Sequence, residues 1–146
     1  MLKVVEVKIV SNDKEMNDAF TVRKNVFIEE QNVPEEEEMD QFDQTATHFV
    51  VYDQGNPVGA GRFRVIDGIG KVERICIVAS VRKKGLGKLI MDEIERFAAT
   101  KGIQTVKLNA QIHAEPFYQK IGYETVSDEF MDAGIPHVAM TKILNN

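Results

Sequence analysis

The sequence has little of what secreted and membrane proteins use. Its one cysteine, Cys76, excludes an internal disulfide, which is the usual staple of small secreted domains. No apolar run is long enough to cross a bilayer. The first ten residues alternate apolar and charged side chains, which is typical of a strand and not of a signal peptide. We therefore expect a soluble, cytoplasmic protein without a membrane partner.

Positive charge is absent from one continuous stretch of the chain. Residues 25–61 contain nine acidic residues and no lysine or arginine, and the remainder contains 14 acidic and 18 basic residues, so that −9 and +4 give the net charge of −5. This acidity argues against general nucleic-acid binding. The basic part suits an anionic ligand and the acidic part suits a cationic one, such as an amine. A solvated charged face is nevertheless the simpler interpretation of Glu35–Glu38.

Length and apolar periodicity predict one domain over residues 1–146. The composition is that of an ordinary globular protein, with 43% hydrophobic and 28% charged residues. The spacing of apolar residues predicts the order strand, helix, three strands, helix, strand, helix and two strands. The first helix is expected to end at Asn32-Val33-Pro34, because proline cannot continue it. This order indicates an α/β (α+β) domain with a mixed, mostly antiparallel central sheet flanked by helices.

A glycine-rich basic turn follows a predicted strand and opens a predicted helix. Its sequence is Arg82-Lys83-Lys84-Gly85-Leu86-Gly87-Lys88. Glycine lets the backbone approach a ligand closely, and the unpaired N–H groups at the start of a helix favour an anion. Residues 81–91 carry four basic residues and no acidic one. The turn therefore suits the pyrophosphate of a bulky cofactor.

Two common nucleotide-binding motifs do not fit the chain. A P-loop needs glycine five residues before its Gly-Lys pair, where this chain has Arg82, and Ser or Thr after it, where this chain has Leu89. Gly59-Ala60-Gly61 begins like a dinucleotide fingerprint, but Arg64 replaces the third glycine and no helix pattern follows. A nucleotide hydrolase is therefore disfavoured.

Three motifs in this order resemble the GNAT superfamily of acyl-CoA-dependent N-acyltransferases over nearly the whole chain. They are the Arg-x-x-Gly-x-Gly turn at 82–87, the strand at 72–78 before it, and Ala114-Glu115-Pro116-Phe117-Tyr118-Gln119-Lys120-Ile121-Gly122-Tyr123. The last is similar to the family's Ala-x-x-Leu-Tyr-x-Lys-x-Gly-Phe. Val33-Pro34-Glu35-Glu36 and Gly134-Ile135-Pro136-His137 further resemble a small bacterial subgroup, the YjcF/ElaA-like acetyltransferases.

The resemblance implies that the turn and the strand before it bind acetyl-CoA, chiefly through backbone groups. N–H groups of the turn would hold the pyrophosphate, and the strand would pair with the pantetheine amides. An N–H group near Ile77 would stabilise the oxyanion, which is worth roughly 3 kcal/mol of barrier. Many family members carry Asn at position 111, where this chain departs from the pattern. The expected cofactor-binding residues are Ile75, Cys76, Ile77, Arg82, Lys83, Lys84, Gly85, Leu86, Gly87, Lys88, Asn109 and Gln111.

The resemblance also implies direct acetyl transfer to a primary amine with two catalytic side chains. Tyr118 is the candidate general acid, since a phenol beside the thioester sulfur can protonate the departing thiolate, an effect of about 10²- to 10⁴-fold. Simple packing in the core is the alternative. Glu73 is the candidate base, acting directly or through water, and strand alternation would place it on the same face as Ile75. A glutamate paired with Arg62 or Arg64 fits the sequence equally well.

The remaining candidates concern the acceptor and the assembly. Cys76 stands where a thiol could accept an acyl group, but a lone buried cysteine usually acts as a small hydrophobe. The three histidines lack metal-ligand spacing, and no metal is expected. A homodimer is compatible with the resemblance, since dimers are common in the family. The candidate substrate-binding residues are Glu29, Glu30, His113 and His137.

A second function, from another class, is a non-catalytic acyl-CoA-binding sensor or interaction module. The presence of both Tyr118 and Glu73 favours the enzyme. The substitution Tyr118→Phe distinguishes the two functions. A sensor would bind acetyl-CoA and would keep its full function in that variant.

Overall fold

Residues 4–144 are described by a computed structural model, in which eight strands form one sheet. In chain order the strands are β1 Val5–Ile9, β2 Thr47–Asp53, β3 Asn56–Ile66, β4 Ile69–Ile77, β5 Thr105–Gln111, β6 Glu124–Thr125, β7 Phe130–Asp132 and β8 Ile135–Ile143. The sheet order is β1-β2-β3-β4-β5-β8-β6, and β7 pairs with β8 outside this path. The β4–β5 pair is parallel and the other pairs are antiparallel, which confirms the predicted sheet.

The helices occupy the two faces of the sheet. They are α1 Asp13–Arg23, α2 Glu35–Glu38, α3 Leu86–Thr100 and α4 Glu115–Lys120. A π-helix, Lys24–Glu30, continues α1, and short 3₁₀ turns occur at Gln41–Gln44, Ala79–Val81 and Ile112–Ala114. Asn12 begins α1, because its side chain accepts a hydrogen bond from the Glu15 N–H at 2.8 Å. The combined helix ends ahead of Pro34, as predicted.

Each face of the sheet buries its own apolar cluster. On one face Ile90 and Ile94 of α3 pack with Val51 of β2; we call it the α3 face. On the other, Val22 of α1 packs with Val50 of β2; we call it the α1 face. Val50 and Val51 are neighbours on β2 and belong to opposite clusters, because side chains alternate between the two faces along a strand. Full burial of such a side chain stabilises the fold by about 1.5–3 kcal/mol.

A bulge at Arg74 interrupts β4. Between two of its pairs with β3, β4 has two residues where β3 has one, and Arg74 adopts a φ of 60°. The extra residue inverts the alternation of side chains, so Glu73 lies on the α1 face with Cys76, whereas Ile75 packs on the α3 face. The predicted shared face of Glu73 and Ile75 is therefore wrong, because alternation in the sequence does not reveal a bulge.

The predicted closing pair of strands is only part of the observed end of the sheet. β6 and β8 pair antiparallel as expected, but β7 also pairs with β8. The turn between β7 and β8 holds Ala133 and Gly134 at φ values of 52° and 76°, which is typical of a two-residue type I′ hairpin. Three residues are too few to show a strand period, so the sequence did not predict β7.

A cluster of buried charges joins α1 and α2 to the sheet. Arg23 of α1 and Arg62 of β3 are 0% and 1% exposed. Arg23 donates to Glu38 at 3.0 Å and to Asp43 at 2.8 Å. Arg62 donates to the same oxygen of Asp43 at 2.8 Å and to Asp40 at 2.6 Å. Buried charges are tolerated only when they are paired and hydrogen-bonded, so this cluster fixes the 35–44 segment against the sheet.

The acidic stretch is therefore not one solvated lobe. Glu35, Glu36 and Glu37 are exposed, as a solvated face requires. Glu38 and Asp43 are only 2% and 8% exposed and serve as counter-charges inside the molecule. Their arginine partners lie far away in the sequence, which is why composition alone suggested a separate surface.

Replacing Arg62 with alanine should destabilise the protein by about 3–5 kcal/mol. The change would leave buried carboxylates without their charge partner, and that is the costly way to break a buried ion pair. The free energy of unfolding in urea, by circular dichroism, measures the effect. Arg96→Ala is the control, because the Arg96–Glu93 pair is exposed and its loss should cost less than about 0.5 kcal/mol. Equal costs for the two variants would contradict the interpretation of the cluster.

Stability should also fall at acidic pH through Asp43. Burial alone would raise the pKa of Asp43, but hydrogen bonds and charges from Arg23 and Arg62 outweigh it and lower the pKa from 3.8 to about 2. A lowered folded-state pKa stabilises above the unfolded value, so about 2 kcal/mol should be lost as pH falls from about 4 through about 2. Urea unfolding at several pH values measures this loss.

Asp43→Asn provides the comparison for that pH series. The variant should be less stable than wild type at neutral pH, but its free energy of unfolding should fall less on acidification. Burial, with a smaller contribution from the charge of Asp43, raises the pKa of Glu38; this acts in the opposite direction and should be weaker in the variant. A wild-type curve parallel to that of the variant below pH 4 would contradict the assignment to Asp43.

Candidate active site

A cleft forms where β4 and β5 separate. Their parallel pairing joins residues 70–72 to residues 106–108 and then ends, although β4 continues to Ile77 and β5 to Gln111. Beyond that point the outer edges of the two strands stay paired with β3 and β8. The edges that face each other therefore offer backbone N–H and C=O groups, which can bind an extended ligand as an added strand would.

The cleft has a volume of about 1230 Å³, more than the ~300–1,000 Å³ of ordinary small-molecule pockets. Most of the predicted site residues line it. Those residues are Glu30, Glu73, Ile75, Cys76, Ile77, Arg82, Lys83, Gly85, Leu86, Gly87, Asn109, Gln111, His113, Tyr118 and His137. Three predicted residues are not among those that line it: Glu29, Lys84 and Lys88.

The basic turn presents a row of backbone N–H groups. Gly85 begins α3 with a φ of 81° and no side chain caps the helix. Within residues 4–144, the N–H groups of residues 83–88 donate no backbone hydrogen bond. A Cβ atom at position 85 would meet nothing within 4 Å, so the left-handed φ and not space requires glycine there. Lys88 bonds instead to Asp92 at 3.0 Å.

Arg82 connects the turn to the π-helix. Its guanidinium makes a bidentate pair with Glu30, with both N–O distances at 2.6 Å, and its Nε donates to the Ile77 carbonyl at 2.8 Å. Two residues predicted to bind different ligands thus bind each other. The pair is half-exposed, so its contribution to stability is small, about 0–1 kcal/mol, and it acts mainly to hold the turn beside the end of β4.

The Tyr118 hydroxyl is free to meet a ligand in the cleft. Its ring is 8% exposed and packs edge-on against Phe117 and Tyr123, with centroids 5.0 Å and 5.8 Å away. The hydroxyl makes no hydrogen bond within residues 4–144, and it is not among the fully buried polar atoms there. Burial, with a smaller contribution from Cys76, raises the pKa of Tyr118, so the phenol keeps its proton at neutral pH.

Glu73 is held by two arginines. One carboxylate oxygen accepts from the Nε atoms of Arg62 and Arg64 at 3.0 Å and 2.7 Å, and the other accepts from Arg64 at 2.9 Å. Burial would raise the pKa of Glu73, but hydrogen bonds and charges from Arg64 and Arg62 outweigh it and hold the pKa below its ordinary value. The pairing that the sequence left open is thus present, and a carboxylate stabilised in this way is a weak base.

Cys76 behaves as a core residue. It is 5% exposed and packs with Ala19 and Val22 under α1. Burial raises the pKa of its thiol to about 12. Because the thiolate is the nucleophile, this side chain is a poor acyl acceptor, which agrees with the hydrophobic interpretation made from the sequence.

A polar bridge closes one end of the cleft. The Gln111 amide donates to the side chain of Gln31 at 2.8 Å, and its oxygen lies 2.7 Å from Nε2 of His113. Position 111 thus uses its side chain to hold the segment after the π-helix over β5. His137 stands opposite Gln111 on β8 and also lines the cleft.

Sequence reasoning missed two features that shape this site. The bulge at Arg74 had no signal in the sequence, since arginine is an ordinary strand residue. The β7–β8 hairpin, whose Asp132 and Ala133 line the cleft, had one signal, the Ala133-Gly134 pair at its turn.

Two negative findings apply to the described residues. Among residues 4–144, no group of three or more His, Cys, Asp or Glu side chains is arranged to hold a metal ion. No helix in that part of the chain is long and apolar enough to span a membrane.

Known proteins are similar to this chain in sequence and in fold. The Acetyltransferase (GNAT) domain model matches residues 10–144. A Bacillus subtilis (strain 168) protein described as "Uncharacterized N-acetyltransferase YjcF" is 52% identical over 135 residues, which cover 92% of this chain and 96% of that protein.

Solved structures agree with the fold. A putative N-acetyltransferase from Lactobacillus plantarum superposes with a TM-score of 0.90 at 24% identity, covering 97% of this chain and 99% of that one. Escherichia coli ElaA superposes with a TM-score of 0.84 at 22% identity, covering 95% and 99%. The family model and the similarity to YjcF confirm the resemblance drawn from the motifs, and the chain belongs to the GNAT acetyltransferase family.

Proposed function

We propose that the protein is an acetyl-CoA-dependent N-acetyltransferase that moves an acetyl group directly to a primary amine. The observation that carries the proposal is one continuous cleft lined by the basic turn, the separated β4 and β5 edges and Tyr118. A pyrophosphate, a pantetheine amide chain and a thioester need these three features in that order. Membership of an acetyltransferase family supports the same reaction.

Acetyl-CoA would bind mainly through the backbone. N–H groups of residues 83–88, at the positive end of α3, suit the pyrophosphate. The free edge of β4 at Ile75–Ile77 suits the pantetheine amides, with Asn109 on the facing strand. Arg82 would support the turn through Glu30 and the Ile77 carbonyl, without contacting phosphate itself.

The transfer step uses groups already in the cleft. An N–H group near Ile77 would stabilise the oxyanion of the tetrahedral intermediate, worth roughly 3 kcal/mol. Tyr118 would protonate the departing thiolate, a task suited to a phenol whose pKa burial has raised. The buried thiol of Cys76, with its pKa of about 12, favours direct transfer over an acyl-enzyme. Glu73, paired with Arg62 and Arg64, would position the bulge and would not itself take the proton.

Acetyl-CoA should raise the thermal stability of the wild-type protein. A ligand that binds only the folded state stabilises it by about 2.7 kcal/mol at 100 times its dissociation constant. Gly85→Ala should weaken binding about tenfold, ~1.4 kcal/mol, because alanine strains the φ of +81° and displaces the N–H groups. Thermal unfolding with acetyl-CoA, CoA and ATP measures both effects.

Gly68→Ala is the matched control for that variant. Gly68 also has a positive φ, +79°, with open space at its Cβ position, but it lies in the turn between β3 and β4, outside the cleft. Gly68→Ala should lower the thermal stability of the free protein about as much as Gly85→Ala does, and it should keep the full stabilisation by acetyl-CoA. The proposal fails if saturating acetyl-CoA leaves wild type unchanged, or if ATP stabilises it as well.

Tyr118→Phe should lower kcat by about 10²- to 10⁴-fold while acetyl-CoA binding is retained. The variant loses the acid but keeps the ring packing. Release of CoA is measured with ethanolamine, spermidine and phenylethylamine as probe amines. Tyr52→Phe is the control, since the Tyr52 hydroxyl bonds to Asp18 away from the cleft. Acetyl-CoA binding without transfer to any probe amine would instead favour the sensor function.

A further inference from the structure

His137 lines the cleft from the α1 face of the sheet. Its strand neighbours Val138 and Met140 belong to the α3 cluster, with Val138 next to His137 in sequence, so alternation places His137 on the α1 face. Gln111 is its direct cross-strand partner and reaches Gln31 from that same face. The imidazole therefore lines the cleft beneath the segment that follows the π-helix.

The ring is fixed in one orientation and one tautomer. Its Nδ1 lies 2.7 Å from the Ile135 carbonyl oxygen, and since that oxygen can only accept, Nδ1 must carry the proton. Phe130 stacks on the ring at 6.0 Å between centroids and 23° between planes, and the residue is 8% exposed. Neutral His137 therefore has its lone pair on Nε2.

That Nε2 atom is unused by the rest of the protein. Within residues 4–144 it makes no hydrogen bond, yet it is not among the fully buried atoms that lack a partner. A nitrogen lone pair that is held by packing and open to a cleft is suited to accept a proton from a ligand. A histidine with only a packing role has no need to keep this atom free.

The other imidazole and glutamate candidates differ from His137 in their partners or their exposure. Glu73 is held by Arg62 and Arg64. Nε2 of His113 donates to the Gln111 side-chain oxygen at 2.7 Å, which leaves a lone pair on Nδ1, but this ring is exposed to solvent and is not held by packing. His48 uses its Nε2 on the Asp43 carbonyl and does not line the cleft. Among these histidines, His137 combines an available lone pair in the cleft with a buried ring that is held by packing.

We propose that Nε2 of His137 accepts the proton of the acceptor amine. The inference rests on the proposed N-acetyltransferase function. The ammonium substrate gives one proton to Nε2, and the free amine attacks the thioester carbonyl carbon to form the C–N bond. As the C–S bond breaks, Tyr118 gives its proton to the thiolate and is reprotonated from solvent, while the amine nitrogen releases its second proton to water. The imidazolium then releases its proton to solvent.

Few titratable groups lie on the elements packed against this ring. β7 contributes Asp132 at its end, β6 contributes Glu124, β5 contributes Lys107 four residues before Gln111, and the 3₁₀ turn contributes His113. Asp132 lines the same cleft, and its charge favours an ammonium ligand near His137. The rate of transfer should fall at acidic pH, because a base that already carries a proton cannot accept one from the amine.

His137→Asn is the decisive variant. The asparagine amide can still donate to the Ile135 carbonyl, as Nδ1 does, but it has no atom at the place of Nε2. We expect kcat with the best of the three probe amines to fall about 10²- to 10⁴-fold, with acetyl-CoA stabilisation retained. The acidic limb of the pH–rate profile should disappear, and added imidazole should restore part of the rate.

Two variants serve as comparisons for the pH profile. His113→Asn and Glu73→Gln should both keep the acidic limb, whatever their rates. The proposal is overturned if His137→Asn keeps the limb, or if Glu73→Gln loses it. Failure of wild type to bind acetyl-CoA or to acetylate any probe amine would overturn the proposed function instead, so the two failures are distinguishable.

A measurement on the wild-type protein tests the proposal even if the His137→Asn variant does not fold. With ¹⁵N-labelled histidine, the Nε2 resonance of His137 should show an unprotonated nitrogen at pH 8 and should move when the probe amine is added. A proton on Nε2 in the neutral ring, or no change with the amine, would overturn the proposal without any substitution.

Discussion

The divergence of β4 from β5 after Val72 is the constraint on which the rest of this site depends. The bulge at Arg74 has a left-handed φ that costs about 1–3 kcal/mol for a residue other than glycine. The side chain of Arg74 offsets that cost by donating to the Glu37 and Glu38 carbonyls at 3.2 Å and 3.1 Å. The bulge thus lies where β4 parts from β5, and Glu73 stays on the α1 face beside Arg62.

The buried ion cluster explains why the acidic segment exists where it does. Glu38, Asp40 and Asp43 come from the segment that follows the π-helix, and they pair with Arg23, Arg62 and Arg74. Replacement by apolar residues of similar size often costs nothing in stability, so the charges are better understood as fixing one arrangement. They hold the bulge, the wall of the cleft and α1 in one fixed arrangement.

Sequence reasoning succeeded where the signal is local. Strand alternation at Val5, Val7 and Ile9, the glycine at position 85 and the Arg-x-x-Gly-x-Gly spacing all encode short-range geometry. They predicted the element order, and most of the residues predicted for the site line the cleft. Sequence reasoning failed where a side chain binds a partner that is remote in the sequence. The sequence offered pairing with Arg62 or Arg64 as one role of Glu73 but could not decide between pairing and catalysis, and nothing near Glu30 reveals Arg82, 52 residues further along the chain. Side chains that choose between remote partners cannot be assigned from their neighbours.

The two faces of the sheet separate the proposed acid from the proposed base. Tyr118 belongs to the cluster on the α3 face, whereas His137 lies on the α1 face opposite Gln111. A thioester threaded between β4 and β5 would therefore meet its amine from one side and lose its thiolate toward the other. That arrangement keeps the proton acceptor away from the leaving sulfur, so a histidine and a tyrosine can each act once per turnover without exchanging protons directly. The open edge of β4 would make the separation possible, because an extended ligand paired with it would place its carbonyl within the plane of the sheet.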